Sequence, residues 1–253
     1  MIYDLQKASM WKRISALLFD AILLGIVAVL FALAISGMLG YNAYYETVHD
    51  AYARYSDMYG VDMKMSATEY EALPQEQKDI MLQAFEALNA DAEATHALGM
   101  MMEMSMLIAS FGLLLAFILM EFVIPLLLKN GQTLGKKIFG IAVMHTSGVK
   151  LSGPMLFARS ILGKYAVETM VPVYIILMLL FGAMNGIGVI VLLLLAVLQA
   201  VVLIATHTNS CIHDLLAKTV TVDLQSQMIF DSKEALIAYK EKVHAEKAAK
   251  AAY

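Results

Sequence analysis

Three acidic residues lie inside long apolar segments of this chain, where a charged side chain needs a partner. Asp20 is the only charged residue in residues 14–39, and Glu103 and Glu121 lie within residues 98–128. Placing one charge in a membrane costs about 2.5–3.5 kcal/mol on insertion scales, so such groups usually face protein. Two carboxylates at similar depth hold a proton or a cation between them, because like charges raise each other's pKa. This pattern indicates cation–proton exchange.

A purely structural interpretation of the same acids stays open. Arg13 precedes Asp20 by seven residues, which places both on one helix face about 10 Å apart along the axis. In this alternative Asp20 and Glu121 pair with Arg13, Arg159 or a lysine and hold the helices together. We expect Glu103, nearer the opposite end of its segment, to be interfacial.

Titratable groups also follow the last apolar segment. Asp214 lies there with His207 and His213, and His213 is a candidate pH sensor because histidine titrates near neutrality. The alternative for each histidine is a helix cap or a salt bridge. Cys211 is the only cysteine, which excludes an intrachain disulfide and a multi-cysteine metal site. We predict no metal site, no cofactor and, without a nucleophile–base pair, no enzyme.

The composition predicts a membrane protein. Sixty per cent of the residues are apolar, against about 45–50% in soluble domains. A helix that crosses the bilayer needs roughly 20 mostly apolar residues. A tight turn at Asn185-Gly186 divides the last apolar stretch in two. The sequence therefore predicts four spans, within residues 14–39, 98–128, 170–184 and 187–206.

The distribution of basic residues predicts the orientation. Fifteen of the 18 Lys and Arg residues lie before the first span, between the second and third spans, or after the fourth. Cytoplasmic segments carry such an excess of basic residues. We therefore expect both termini in the cytoplasm and residues 40–97 outside.

Residues 40–97 are predicted to form an external acidic helical hairpin. Its first helix carries an apolar and aromatic stripe, ends at Gly60, and is followed by a capping box of Ser66 with Glu69 and a helix start at Pro74. The stripe predicts packing against the returning helix, with a binding platform as the alternative. It consists of Tyr41, Tyr45, Val48, Tyr52, Tyr55 and Tyr59.

The cytoplasmic segments carry weaker patterns. Residues 138–145 and 149–152 predict a small β-hairpin, to which residues 218–224 could add a third strand. Residues 154–168 predict an amphipathic helix at the membrane surface that carries Arg159 and Lys164. A tail helix from Asp231 either docks on anionic lipid or is solvated.

Three motifs in order resemble one family. Arg13-x6-Asp20 opens the first span, GQTLGKKIFG occupies residues 131–140, and IHDLLAKTVTV occupies residues 212–222. Together they are similar to the RDD family of bacterial integral membrane proteins, named for an arginine and two aspartates, which Arg13, Asp20 and Asp214 match. The resemblance implies a multi-pass protein of the bacterial cytoplasmic (plasma) membrane, and some members are linked to exchange of monovalent cations for protons. Residues 40–97 and the lysine-rich tail depart from the family pattern.

The glycine-rich motif is not a phosphate loop, because only three residues separate Gly131 from Gly135. We expect its glycines to form a turn at the membrane surface and Lys136 and Lys137 to contact lipid phosphates.

We therefore expect an α-helical membrane protein with four transmembrane helices, a small cytoplasmic β-hairpin or sheet and an external helical hairpin. Its segments are residues 1–39, 40–97, 98–128, 129–169, 170–206 and 207–253.

The expected function is exchange of a small monovalent cation for protons. Asp20 and Glu121 would bind the ion or proton, and Arg13, Asp214 and Arg159 would gate or orient them. Four helices are few for a complete pathway, so a homo-oligomer in the lipid bilayer is expected, with no nucleic-acid partner. The alternative is a non-transporting membrane adaptor or assembly protein that binds a partner through its external hairpin or cytoplasmic tail.

Overall fold

The computed structural model describes residues 5–251, and helices account for most of them. In chain order the elements are α1 (Met10–Leu39), α2 (Tyr41–Tyr59), α3 (Ala67–Glu71), α4 (Gln75–Ala90), α5 (Ala92–Leu128), α6 (Leu134–Ile138), β1 (Ile141–His145), α7 (Gly153–Leu180), α8 (Ile187–Ala205), α9 (Ile212–Ala217), β2 (Thr219–Asp223) and α10 (Lys233–Ala251). Within these described residues, four helices are long and apolar enough to cross a membrane, namely α1, α5, α7 and α8. The predicted fold class is confirmed.

The chain divides into two compact units. One, the helical unit, consists of residues 32–111, and the other, the main unit, combines residues 5–31 with residues 112–251. In the helical unit α2 packs on α4, and Met81, Ala84 and Leu88 of α4 form its core. Tyr52, Tyr55 and Tyr59 pack against this core, so packing explains that part of the aromatic stripe.

The ends of these helices follow local signals. Gly60 ends α2 in a left-handed conformation with φ of 66°. Ser66 and Glu69 form the predicted capping box, with both of its hydrogen bonds present, and Pro74 directly precedes α4. The turn around Asn185 and Gly186 separates α7 from α8, as the sequence predicts.

The main unit contains a two-stranded sheet in place of the predicted hairpin. Strand β1 pairs antiparallel with β2, from Ile141 opposite Asp223 to His145 opposite Thr219. The local hairpin with residues 149–152 was wrong, because Val149 accepts one hydrogen bond from His145 and then forms a bridge with Phe230. The predicted additional strand within residues 218–224 was right, and it is the partner of β1. Burial of Val220 and Val222 of β2 against Met144 stabilises the long-range pairing.

Helix α7 also differs from the prediction. Its residues 154–168 do not form a separate surface helix but continue without interruption into the third span. The segment Ala158–Met170 is π-helical, and Arg159 within it is only 3% exposed, so this face packs against protein rather than lying on lipid headgroups. The tail helix α10 begins after Ser232, whose hydroxyl accepts a hydrogen bond from the Ala235 N–H.

Candidate functional site

A group of charged side chains lies where α1, α5, α6, α7 and α9 come together in the main unit. We call it the charged cluster, and it includes all five residues that the sequence predicts to bind or gate an ion. Its members are Arg13, Asp20, Glu121, Lys136, Arg159, Lys164, Glu168, His213 and Asp214.

The glycine-rich segment binds the carboxylate of Asp20. One Asp20 oxygen accepts the Gly135 N–H at 2.7 Å, and the other accepts the hydroxyl of Thr133. A Cβ on Gly135 would lie 2.5 Å from the carbonyl oxygen of Ala16, so only glycine allows the segment to approach α1 this closely. The Asp20 carboxylate therefore accepts hydrogen bonds from the kind of backbone and hydroxyl donors that bind phosphate in a phosphate loop.

Lys136 lies inside the protein, which corrects the prediction of a lipid contact. Lys136 is only 8% exposed, and its ammonium group donates to the hydroxyl oxygen of Thr133 at 3.2 Å. Burial lowers the pKa of Lys136 to about 8, an effect that Glu121 and Asp20 oppose and that Lys164 and Arg159 reinforce. Lys137 is exposed, and its contact with lipid stays a prediction.

Glu121 is buried with one carboxylate oxygen unpartnered. Its Oε1 accepts a hydrogen bond from the Lys164 ammonium at 2.6 Å. Its Oε2 is buried and has no hydrogen-bond partner among the described residues. Each acid at membrane depth thus has its own donors, a backbone N–H and a hydroxyl for Asp20 and a lysine for Glu121.

The backbone around Glu121 is unusual as well. Residues Ile118–Val123 are π-helical, and Pro125 follows four residues after Glu121. Proline has no N–H and cannot donate to the carbonyl four residues before it. The hydroxyl of Ser160 in α7 donates to the Glu121 carbonyl at 2.6 Å.

The motif Glu-x-x-x-Pro occurs again in α7, as Glu168 and Pro172. In both helices a π-helical segment precedes the proline, and each segment contains the acid. A π-helical turn relieves the crowding between a proline ring and the preceding turn, and such turns are frequent at functional sites. The sequence analysis missed this repeated motif, which is the signal that would have identified Glu168.

The π-helical geometry of α7 puts its charges on one side. At 3.6 residues per turn, Lys164 and Glu168 would lie about 140° and 180° around the helix from Arg159. Hydrogen bonds to the fifth residue make a wider turn, which brings residues four and five apart onto one face. Arg159, Lys164 and Glu168 all contact other members of the charged cluster.

Asp214 pairs with two arginines. The Nε of Arg159 donates to Asp214 Oδ1 at 3.0 Å, the hydroxyl of Thr219 donates to the same oxygen at 2.7 Å, and Arg13 lies 4.0 Å from Oδ2. Burial acts to raise the pKa of Asp214, but the Arg159 guanidinium, with His213, holds it well below its usual range. The arginine and second aspartate of the family motif, Arg13 and Asp214, are thus neighbours in space.

His213 bridges Arg159 and Glu168. Its Nδ1 is 2.7 Å from Glu168 Oε2, and its Nε2 is 3.0 Å from Nη2 of Arg159. Because arginine only donates, we assign the ring proton to Nδ1 and the accepting lone pair to Nε2. Burial and the charge of Arg159 lower the pKa of His213, while Asp214 and the hydrogen bond to Glu168 oppose the shift. The histidine is therefore neutral at neutral pH.

A cavity of about 110 Å³ borders the charged cluster. Arg13, Asp20, Lys136, Arg159 and Asp214 line it, together with apolar side chains that include Leu17 and Leu203. This volume admits several water molecules or a small ion with part of its hydration shell.

Among the described residues, one group has metal-ligand atoms close together. The ligand atoms of Cys211, His213 and Asp214 lie within 4.8 Å of one another. Both nitrogens of His213 are engaged, however, and a divalent ion beside Asp214 would meet the guanidinium of Arg159. Burial and the nearby acids raise the pKa of the Cys211 thiol, which makes it a poor ligand at neutral pH. The geometry favours an ion-pair network over a metal centre.

Comparison with known proteins identifies one match. The model of the family described as the RDD family matches residues 7–218, which is most of the chain and includes every member of the charged cluster. Comparisons with curated proteins and with solved structures gave no match.

Proposed function

This chain belongs to the RDD family, and we propose that it exchanges a small monovalent cation for protons across the membrane. One observation carries the proposal: the Oε2 atom of Glu121 is buried and has no hydrogen-bond partner among the described residues. A buried acceptor without a donor is costly, typically about 1–3 kcal/mol, and needs an explanation such as a bound ion or proton.

The exchange follows from the chemistry of one carboxylate. A proton and a cation compete for the same oxygen, so binding of one excludes the other. If the site faces the two sides of the membrane in turn, each cycle carries a cation one way and a proton the other. The Ser160 hydroxyl, which donates to the backbone carbonyl of Glu121, is a further oxygen in this part of the main unit. Small hard cations prefer such oxygen ligands.

The other candidates take supporting roles in this proposal. Both oxygens of Asp20 already accept hydrogen bonds, so Asp20 positions the segment that carries Lys136 rather than binding the ion directly. Arg13, Arg159 and Asp214 hold α9 against α1 and α7, which orients His213 and the wall of the cavity.

We also propose the orientation and assembly that the sequence indicates. The basic segments favour cytoplasmic termini in a bacterial plasma membrane. A homo-oligomer remains part of the proposal, and helix α8 has exposed apolar side chains that are available to contact lipid or a second copy. Leu193, Leu194, Val197 and Ile204 are examples of this exposed face.

The proposal is tested by proton flux in proteoliposomes, with a pH-sensitive dye inside and pulses of NaCl, KCl or LiCl outside. Wild-type protein is expected to show a cation-dependent proton flux that Glu121→Gln abolishes. Glu103→Gln is the matched control, because Glu103 lies in the same helix but is exposed. Folding of each variant is checked by gel filtration and circular dichroism. A folded Glu121→Gln protein with undiminished flux would show that the carboxylate does not carry the ion.

A second candidate function is supported by the helical unit. Residues 32–111 form their own compact unit around their own core, which a transport pathway through the main unit does not require. A non-transporting adaptor would use this unit or the tail to hold a partner protein. Folded wild-type protein that shows no flux with any of the three cations would favour the adaptor. Replacement of residues 41–90 by a short linker separates the two further, because a transporter is expected to retain its flux.

A further inference from the structure

Gln199 is the only polar side chain of α8, whose other residues are apolar or glycine. Its Oε1 atom is buried and has no hydrogen-bond partner in residues 5–251. A polar side chain within a membrane-crossing helix usually faces protein and marks a functional site. An unpaired buried acceptor also needs an explanation, such as a ligand that supplies the donor.

A cavity of about 370 Å³ lies beside Gln199 in the main unit, and we call it the α7–α8 cavity. Its polar side chains are Glu168 and Gln199, and Pro172, Leu192 and Leu195 are among the apolar residues that form its walls. It shares no lining residue with the 110 Å³ cavity. Mostly apolar pockets with a few polar groups are the usual form of small-molecule sites.

Glu168 brings a negative charge to this cavity. Its Oε1 accepts the backbone N–H of His213 at 2.8 Å, and its Oε2 accepts Nδ1–H of the same residue at 2.7 Å. The Nε2 atom of His213 accepts from Arg159, which can only donate, so the ring carries one proton and no charge. Both hydrogen bonds thus come from a neutral residue and do not balance the carboxylate. A carboxylate has about four acceptor positions, so Glu168 retains room for a further donor.

These groups favour an organic cation over a metal ion. Metal ions such as Mg²⁺ and Ca²⁺ take about six or more oxygen ligands, whereas the side chains of this cavity provide oxygens only from Glu168 and Gln199. An ammonium group needs fewer acceptors, and a carboxylate together with an amide oxygen accepts most of its N–H donors. The apolar walls beside these oxygens suit a hydrocarbon chain attached to the ammonium group.

We propose that the α7–α8 cavity is a binding site for a primary alkylammonium ion. The ammonium group donates to the carboxylate of Glu168 and to Oε1 of Gln199, and the hydrocarbon chain lies against the apolar walls. The inference goes beyond the proposed exchange, because it involves neither Glu121 nor the cavity that Asp20 lines. It also supplies the donor that the buried oxygen of Gln199 lacks.

The test is isothermal titration calorimetry of the full-length protein in detergent with hexylammonium chloride. At neutral pH this ammonium group is charged, like that of lysine. Hexanol is the matched probe, because it has the same chain and a donor but no charge. The wild type is expected to bind hexylammonium at least about tenfold more tightly than hexanol, since hydrogen bonds between charged groups are the stronger ones. Equal affinities for the two probes would show an apolar cavity only and overturn the inference.

Two variants address the two acceptors separately. Gln199→Leu removes Oε1 and places an apolar side chain in an apolar helix, so it is expected to fold as wild type and to bind hexylammonium several-fold more weakly. Glu168→Gln keeps the size of the side chain but removes its charge, and is expected to weaken hexylammonium binding at least about tenfold. Glu103→Gln, at an exposed acid of α5, is the matched control and is expected to bind as wild type does.

Folding of each variant is checked by gel filtration and circular dichroism. Gln199→Leu decides the outcome where Glu168→Gln does not fold, because Oε1 of Gln199 has no partner to lose. Wild-type affinity for hexylammonium in folded Gln199→Leu overturns the inference. The result is separate from the proposed function, because proton flux through Glu121 is measured without an amine and amine binding is measured without a cation gradient.

Discussion

Gly163 of α7 lies directly against His213 of α9. A Cβ placed on Gly163 would be 2.6 Å from Cβ and 2.7 Å from Cα of His213, closer than real side chains approach. This contact lets α7 and α9 come close enough for His213 of α9 to reach Glu168 and Arg159 of α7. The arrangement of the charged cluster therefore depends on a residue that has no side chain.

The first prediction concerns this contact. Gly163→Ala is expected to lower the free energy of unfolding by about 1–3 kcal/mol, because the added methyl group forces α9 away from α7. The measurement is thermal or denaturant unfolding in detergent. Gly25→Ala is the control, since no atom lies within 4 Å of the position its Cβ would take. Equal stability of Gly163→Ala and wild type would show that α7 and α9 accommodate the added methyl group without loss of stability.

The buried pair of Arg159 and Asp214 gives the second prediction. Asp214→Asn is expected to cost about 3–5 kcal/mol of stability, because it leaves Arg159 buried without its carboxylate. Asp231→Asn is the control. Asp231 forms an ion pair with Lys150 at 2.5 Å that is more exposed to solvent, so its loss is expected to cost at most about 1 kcal/mol of stability. The free energy of unfolding of both variants is measured in detergent. A similar loss of stability in the two would show that burial does not make the Arg159–Asp214 pair more costly to break.

The third prediction concerns the hydroxyl of Thr133, which donates to Asp20. Thr133→Val keeps the shape of the side chain but removes this donor, and is expected to cost about 1–3 kcal/mol. Thr133→Ser retains the hydroxyl and is expected to recover most of the loss. Thr47→Val, at an exposed hydroxyl of α2 that contacts only its own helix, is the control. A stability of Thr133→Ser no better than that of Thr133→Val would assign the cost to packing instead.

The fourth prediction is a dependence of stability on pH through His213. Its pKa in the folded protein lies below the ordinary value of 6.5, because of burial and Arg159. Lys164 adds to this effect, while Asp214 and Glu168 oppose it. Below about pH 6.5 the unfolded chain therefore binds more protons at this residue than the folded protein does. Stability is expected to fall as the pH decreases from 6.5 towards the folded pKa.

The variant His213→Gln checks this assignment. A glutamine oxygen can accept from Arg159, its amide can donate to Glu168, and the side chain does not titrate. Its unfolding temperature is expected to decline less between pH 6.5 and 5 than that of wild type. His49→Gln replaces an exposed histidine of the helical unit and is expected to keep the wild-type decline. A decline in His213→Gln as steep as in wild type would place the titrating group elsewhere.

The amino-acid sequence by itself determined the features that depend on residues close together along the chain. The lengths of the apolar segments predicted four membrane-crossing helices, and short-range signals predicted the end of α2 at Gly60 and the capping box of Ser66 with Glu69. These helices and end signals depend on local backbone geometry or on segment length, both of which can be read from the sequence. Arg13, Asp20 and Asp214 were identified in a different way, by their match to the motifs of the RDD family.

Tertiary structure alone decided which polar groups meet. The pairing of β1 with β2 joins segments that are far apart in the chain, and it replaced the local hairpin because it buries Val220 and Val222. Lys136 and Lys137 look alike in sequence, but only the close packing of this segment against α1 shows that Lys136 is the buried one. The π-helical segments brought Lys164 and Glu168 to the same side as Arg159, where the ordinary helical period places them on opposite sides. These features depend on contacts between segments that are distant in the chain, and for that reason no local sequence pattern could predict them.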